Sequence, residues 1–380
     1  MIHRFSRFRH LFVRLVALLT LLTAVSVPSS EALASPPSSA VHPAAASPWM
    51  QICVHLRHLR PRLKCRSPRS STVEAQAQAP LAKLLTTITQ YSVPTSNSGP
   101  VSIVQYPSGD LWFTENNTDK VATVTTGGTF TEYATPTSNS FPGEIAVGPD
   151  GNLWFTEPGV NKIGRITTGG TITEYSLPTS DANPWGIAAG ADGNMWFTES
   201  NVNKIGKITT SGTVGTITEY TVPTTDTYPI YITGGPDGNL WFTEAYTGVI
   251  GKITTGGTIT EYAVPASGSS PIGITTGPDG LLWFTDGYGY IGKLTTAAVF
   301  TVYAIPGTLP YPWGITSGPG GELWFTDPGV DTVNSITTSG TVTPYSLPTS
   351  PSNNLGITTG SDGNLWFAEN NLNKITSLIP

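Results

Sequence analysis

The feature that most restricts the fold of this chain is a five-residue motif that recurs seven times. It reads Leu/Met-Trp-Phe-Thr/Ala-Glu/Asp, and its tryptophans are Trp112, Trp154, Trp196, Trp241, Trp283, Trp324 and Trp366. Successive tryptophans lie 42, 42, 45, 42, 41 and 42 residues apart. A fixed period of this length indicates a repeat architecture in which each unit packs on its neighbours.

Each repeat carries four short strand signals separated by turns. In the second repeat they cover residues 144–147, 153–156, 162–166 and 172–177. The turns between them hold Asp-Gly and Gly-Gly pairs, which tolerate the positive φ angles of tight hairpins. Four strands per unit of this length, without a helical period, predict an all-β fold: a seven-bladed β-propeller of four-stranded blades.

The two ends of the repeat array complement each other. Residues 88–94 resemble the fourth strand of a blade, and residues 373–380 resemble a third strand that no fourth follows. We therefore expect the N- and C-terminal strands to pair and close the ring, which leaves no incomplete blade with an open edge. The repeated Trp-Phe pairs are expected to fill the space between neighbouring sheets.

The N-terminal part of the chain reads as an export signal. Arg4, Arg7 and Arg9 precede an apolar stretch at 15–27, and small residues at 32–34 suit cleavage before the next residue. The stretch is short for a membrane span, although an uncleaved anchor is the alternative. We predict a signal peptide over 1–34 and a secreted or cell-surface location.

A second N-terminal segment, 35–85, is rich in Pro, Ala and Ser and contains a basic patch over 57–69. Its composition predicts a disordered linker. The alternative is an electrostatic tether to an anionic envelope or to the acidic propeller. Cys53 and Cys65, the only cysteines, could close a small loop outside the cell.

The charge of the propeller segment, 86–380, argues against one class of partner. It holds 8 basic and 23 acidic residues, whereas residues 1–85 hold 11 basic and 2 acidic ones. Phosphate contacts need a basic surface, so no nucleic-acid partner is expected. No further stretch is long and apolar enough to span a membrane, and we expect a monomer.

Three stretches, at 172–178, 203–209 and 356–369, resemble the virginiamycin B (streptogramin) lyase family, as do their counterparts in the other repeats. The resemblance covers residues 86–380. It implies a carbon–oxygen lyase that opens a cyclic depsipeptide antibiotic by elimination: a proton leaves α to the ester carbonyl and the carboxylate is expelled. It also implies histidines, glutamates and a magnesium ion near the mouth of the central channel.

The family's catalytic positions are mostly replaced in this chain. Its two histidine positions hold Trp313 and Leu355, one glutamate position holds Asn353, and only Glu369 matches. All five histidines precede the propeller: His3, His10, His42, His55 and His58. The sequence therefore predicts that the family's proton transfer is absent. It leaves Glu369 as the catalytic candidate, and Glu369 with Asp327 as candidates for magnesium, which the resemblance alone implies.

One position near the start of each repeat is expected to face the channel mouth. The seven residues there are Val101, Gly143, Trp185, Ile230, Ile272, Trp313 and Leu355. An apolar, aromatic mouth suits a small hydrophobic cyclic peptide, a glycan or a loop of a partner protein. Nearby tyrosines are Tyr228, Tyr231, Tyr288, Tyr290 and Tyr311. The predicted ligand-binding residues are Trp185, Trp313, Asn353 and Leu355, although the two tryptophans could instead plug the channel.

The acids that end the seven motifs form a second series: Glu115, Glu157, Glu199, Glu244, Asp286, Asp327 and Glu369. Carboxylates attract divalent cations. A group present in every blade is more often structural, for instance as an acceptor for loop N–H groups. We predict a secreted binding propeller without the family's catalytic histidines; the alternative is a magnesium-dependent lyase of the family type.

Overall fold

The computed structural model describes residues 87–307 and 310–380. The predicted signal peptide, the linker, the cysteines and the histidines lie outside the described residues. The described part forms seven four-stranded antiparallel sheets, which confirms the predicted fold. No helix in those two ranges is long and apolar enough to cross a membrane.

The strands are given blade by blade, from the innermost outward, with β1 completing the last blade. Blade 1 has β2 Pro100–Gln105, β3 Leu111–Glu115, β4 Lys120–Val124 and β5 Phe130–Ala134. Blade 2 has β6 Ile145–Val147, β7 Leu153–Glu157, β8 Lys162–Ile166 and β9 Ile172–Ser176. Blade 3 has β10 Pro184–Ala189, β11 Met195–Glu199, β12 Lys204–Ile208 and β13 Ile217–Thr221. Blade 4 has β14 Pro229–Gly234, β15 Leu240–Glu244, β16 Val249–Ile253 and β17 Ile259–Ala263.

The remaining blades follow the same plan. Blade 5 has β18 Pro271–Thr276, β19 Leu282–Asp286, β20 Tyr290–Leu294 and β21 Phe300–Ala304. Blade 6 has β22 Ile315–Ser317, β23 Leu323–Asp327, β24 Thr332–Ile336 and β25 Val342–Ser346. Blade 7 has β26 Asn354–Thr359, β27 Leu365–Glu369, β28 Lys374–Ile379 and β1 Thr87–Ser92. Two short 3-10 turns occupy Pro319–Gly321 and Asn370–Leu372.

The ring closes through the two ends of the described chain. Strand β1 pairs antiparallel with β28, with Thr87 opposite Ile379 and Ser92 opposite Lys374. Each innermost strand contacts those of the neighbouring blades, and β26 contacts β2 to complete the circle. The predicted pairing of N- and C-terminal strands is therefore confirmed, and blade 7 is built from both ends of the described chain.

The motif tryptophans and phenylalanines form the core between blades. Trp154 is fully buried and packs with Ile187 and Phe197 of the next blade. It also stacks on Tyr175 of its own outermost strand, with ring centroids 5.7 Å apart. Burying an aromatic side chain of this size removes about 150–250 Å² of surface from water. These contacts explain why the motif recurs in every blade.

The two ends of the ring carry different connections. Hairpins between the first and second strands, and between the third and fourth, lie at one end, which we call the turn face. Connections between the second and third strands, and from one blade to the next, lie at the other end, which we call the mouth face. In an antiparallel blade these two sets cannot share an end.

Candidate functional site

A chain of threonine hydrogen bonds fixes the mouth face. The Thr156 hydroxyl accepts the N–H of Glu144 at 3.1 Å and donates to the carbonyl of Trp185 in the next blade at 2.8 Å. Equivalent pairs occur at Thr114, Thr198, Thr243, Thr285 and Thr326. Blade 7 has Ala368 at this position, so the seam between blades 7 and 1 lacks the hydroxyl. The backbone carbonyls of six of the seven mouth residues, all but Val101, are thus held by the preceding blade.

Two of the predicted ligand-binding residues converge on one tyrosine. The Trp313 indole N–H donates to the Tyr231 hydroxyl at 2.9 Å, and the two rings meet edge to face. Trp185 also hydrogen-bonds the Tyr231 side chain. Trp313 is only 7% exposed, whereas Trp185 and Leu355 are half-buried. These contacts join residues of blades 3, 4 and 6 across the channel. They favour the alternative in which Trp313 plugs the channel.

An exposed cluster of tyrosines adjoins this plug. Tyr246 and Tyr288 are each 54% exposed and Tyr311 is 39% exposed. Tyr246 stacks on Tyr228 with centroids 4.6 Å apart, and Tyr311 lies 6.0 Å from the ring of Trp313. We call Tyr228, Tyr246, Tyr288 and Tyr311 the aromatic platform.

The platform tyrosines also influence one another. Partial burial raises the pKa of Tyr311 to about 12, and its neighbours Tyr288 and Tyr246 add to that shift. Tyr290 begins β20, where it pairs with Ala304. Tyr246 was not predicted from the sequence, although it stands two places after the motif acid, as Tyr288 does, and that spacing was a usable signal.

The motif acids of blades 5 and 6 hold the platform loops. Asp327 accepts the N–H groups of Tyr311 at 2.8 Å and Gly329 at 3.1 Å. Asp286 accepts the N–H groups of Ser270 at 3.2 Å and Tyr288 at 3.0 Å. Burial raises the pKa of Asp327 to about 6 despite its donors. In these two blades the motif acid accepts backbone N–H groups and so holds the neighbouring loop in place. This is the structural role that the sequence offered as one alternative for the series.

Glu369 and Asn353 serve the closing blade. Glu369 is fully buried and accepts hydrogen bonds from Gln90 and Thr376, both at 2.8 Å. Burial raises its pKa. Asn353, at a φ of 47°, accepts the N–H of Asn370 at 3.2 Å through its backbone carbonyl. These contacts join β1, β27 and β28 and their connecting turn.

The predicted magnesium ligands do not form a suitable donor set. A magnesium ion needs an octahedral arrangement of oxygen ligands. Neutral donors approach Glu369, and backbone N–H groups approach Asp327. Within residues 87–307 and 310–380, no three His, Cys, Asp or Glu side chains come together as a metal site. These residues therefore do not fit the ion that the resemblance implied.

The lumen of the channel contains an acid that the sequence reading did not single out. The residues that follow the mouth positions are Ser102, Glu144, Gly186, Tyr231, Gly273, Gly314 and Gly356. A cavity of about 70 Å³ is lined by Ser102, Glu144 and Tyr231, together with glycines and isoleucines of the innermost strands. Burial raises the pKa of Glu144 to about 8. Its sequence signal was the replacement of glycine at this position.

Comparison with known proteins connects this geometry to one family. The model of the virginiamycin B lyase family matches residues 80–216 and 163–378. A streptogramin B lyase structure is 38% identical, with a TM-score of 0.74, over 77% of this chain and 97% of that one. Virginiamycin B lyase from Staphylococcus aureus is 37% identical, with a TM-score of 0.74, over 78% of this chain and 99% of that one.

Further comparisons add one ligand complex and one distant fold match. A catalytically inactive histidine-to-alanine variant of the Staphylococcus aureus enzyme, with quinupristin, has the same identity, coverage and TM-score. An extracellular domain of the Bacteroides thetaiotaomicron protein BT4673 is 11% identical, with a TM-score of 0.61, over 77% of this chain and 42% of that one. The latter likeness concerns the fold alone. No curated protein sequence matches the chain.

Proposed function

Since this chain belongs to the virginiamycin B lyase family but carries no histidine in its propeller, we propose that it is a secreted binding propeller. Its ligand is a hydrophobic cyclic peptide of the streptogramin type, which it holds without opening. The observation that carries the proposal is the exposed aromatic platform beside a mouth whose two family histidine positions hold Trp313 and Leu355. Secretion rests on the sequence of residues 1–34.

The relatives show that binding and turnover can be separated. The Staphylococcus aureus variant, inactive after one histidine-to-alanine change, is nevertheless described with quinupristin. Elimination needs a base at the proton α to the ester carbonyl, and an imidazole has a pKa suited to that role near neutrality. This chain has no imidazole after His58. We therefore expect this chain to bind such a ligand, as the inactive variant does, without opening its ring.

The aromatic platform supplies the surface for such a ligand. Tyrosine offers a large apolar ring with one polar tip, so it can cover apolar side chains and still bond an exposed amide. Tyr246 and Tyr288 present about half of their surface to solvent. A contiguous aromatic surface of this kind on a soluble fold marks an interaction site.

The test uses quinupristin with the purified protein in the presence of magnesium. We expect calorimetry to show binding, and mass spectrometry to recover the antibiotic intact. Tyr246→Ala and Tyr288→Ala should each weaken binding about tenfold or more, the effect of an aromatic contact residue. Val299→Ala is the control, because Val299 is 65% exposed on the turn face. Absence of binding, or equal binding by all variants, would overturn the proposal.

The lyase alternative is favoured by the 38% identity to a streptogramin B lyase. It predicts a linear product of unchanged mass, whereas hydrolysis would give a product heavier by one water. Glu369 is the one family acid that matches, so Glu369→Gln should then abolish turnover. A rate unaffected by Glu369→Gln would exclude that carboxyl from the chemistry.

A further inference from the structure

The lumen of the channel differs from one side to the other. Glycine lines it in blades 3, 5, 6 and 7, where the innermost strands approach closely. A Cβ at Gly314 would lie 2.6 Å from the carbonyl oxygen of Leu355, and one at Gly356 would lie 2.7 Å from that of Val101. Blades 1, 2 and 4 instead place Ser102, Glu144 and Tyr231 there. The polar side of the cavity is therefore formed by the three blades in which a larger polar residue replaces this glycine.

Glu144 has no counter-charge in the described part of the chain. Its Oε2 atom is closed off from solvent and has no hydrogen-bond partner there. Glu132, Glu174 and Glu219, by contrast, each pair with a lysine at 2.6–2.7 Å. The side chain of Glu144 as a whole is half-buried. A carboxylate oxygen that is closed off without a partner is costly, because the protein replaces water that would have stabilised its charge.

The rest of the cavity suits a small cation with an apolar portion. Ser102 uses its hydroxyl to accept the N–H of Ile145 at 3.3 Å, and a hydroxyl oxygen has two acceptor lone pairs. Isoleucines, among them Ile274 and Ile315, supply an apolar wall. A volume of about 70 Å³ holds a few atoms. One carboxylate balances one positive charge, and divalent ions need more oxygen ligands than this.

We propose that the lumen beneath Trp185 and Trp313 binds one small ammonium or alkylammonium group. Glu144 supplies the counter-charge, Ser102 accepts an N–H bond, and the isoleucines contact the alkyl carbon. The group is either a free ion or an amine carried by a ligand at the mouth. This site lies below the aromatic platform and goes beyond the binding function proposed above.

The test is thermal unfolding at pH 9 in methylammonium chloride and in sodium chloride at equal concentration. Methylammonium should raise the Tm by about 2–4 °C more than sodium does at concentrations well above its Kd. Glu144→Gln should abolish the difference, and Ser102→Ala should reduce it. Glu157→Gln is the control, because Glu157 is a buried acid of the same blade that does not line the cavity. No difference in the unmodified protein, or an equal one in Glu144→Gln, would overturn the proposal.

A longer amine identifies the source of the cation. Butylammonium exceeds the cavity and has to extend past Trp185, so a larger Tm shift with it than with methylammonium supports an amine carried by a mouth ligand. A larger shift with methylammonium supports a free ion. Neither measurement involves quinupristin, so failure of the antibiotic to bind would overturn the proposed function while leaving this site intact.

Discussion

The turn face and the mouth face use the same strands in opposite ways. At the turn face, an aspartate four residues before the motif tryptophan accepts the indole N–H in blades 2, 3, 4, 5 and 7, at 2.9–3.2 Å. At the mouth face, the seven mouth positions hold five different residue types: Val101, Gly143, Trp185, Ile230, Ile272, Trp313 and Leu355. Repetition marks what each blade needs in order to fold, and variation marks where the ring acquires a particular chemistry.

The turn face also shows what changes in the two blades that lack this aspartate. Blade 6 has Gly320 where the aspartate would stand, and the indole nitrogen of Trp324 has no acceptor in the described residues. Blade 1 has Ser108 there, and it has Thr123 where blades 2 to 5 place a lysine or arginine over the tryptophan. A groove of about 240 Å³ lies beside Trp112, and Ser108 and Thr123 are among the residues that line it.

The largest effect is expected from the repeated core. Trp196→Ala removes a fully buried side chain that packs between blades 3 and 4. The free energy of unfolding should fall by about 3–5 kcal/mol, because the cavity left behind cannot be filled. Denaturant unfolding measures the loss. A fall below 1 kcal/mol would show that the repeat is not the source of stability.

A smaller effect concerns pH and two acids of one blade. Burial raises the pKa of Glu199 to about 8, with Glu219 adding to the shift. Burial also opposes the charge on Glu219, but Lys204 and Thr179 outweigh it and lower its pKa. A raised pKa means that the folded state retains a proton that the unfolded state has lost. The stability contributed by Glu199 is therefore complete below its unfolded pKa and lost as pH rises through about 8.

The matched variants separate these two acids. Glu199→Gln should stabilise the protein at pH 9 by roughly 2–3 kcal/mol relative to the unmodified chain, and by little at pH 5. Glu219→Gln should destabilise it at neutral pH, since it breaks the pair with Lys204 at 2.7 Å. Tm profiles from pH 4 to pH 9 give both results. Parallel profiles for the two variants would refute the opposite shifts.

The next effect tests the turn face directly. Asp192→Ala leaves the indole N–H of Trp196, now bonded at 3.0 Å, without its acceptor. A buried donor left unpaired costs about 1–3 kcal/mol. The same substitution at Asp237 should cost a similar amount, since its bond to Trp241 is also 3.0 Å. Chemical denaturation of both variants checks the equivalence, and clearly unequal losses would contradict it.

The smallest effect is expected at the mouth. Trp313→Phe keeps an aromatic ring, although one smaller than the indole, and removes the donor to Tyr231, which Trp185 also bonds. Because that acceptor keeps one partner, the cost should be about 0.5–1.5 kcal/mol. Thermal unfolding with Trp185→Phe as the companion variant measures it. A loss equal to that of Trp196→Ala would mean that the mouth contributes as much to the stability of the fold as the core does.

The sequence predicted the fold well because short local motifs recur at a nearly constant spacing along the chain. The spacing of the motif tryptophans and the complementary single strands at 88–94 and 373–380 were enough to predict seven blades and their closure. The sequence did not decide whether Trp313 plugs the channel. Its partner Tyr231 lies 82 residues away in the chain, and no local pattern pairs blades 4 and 6. Glu144 was treated as part of a strand signal, although its departure from glycine was visible.

The pairing of β1 with β28 sets the order in which the molecule can be completed. Gln90 bonds the amine of Lys374, which follows it by 284 residues. At a synthesis rate of about 5–20 residues per second, roughly 15–60 s separate the making of these two residues. During that interval β1 has left the ribosome but its partner does not yet exist. Blades 1 to 6 can each form as they emerge, while the first described strand to be made is the last to find its place.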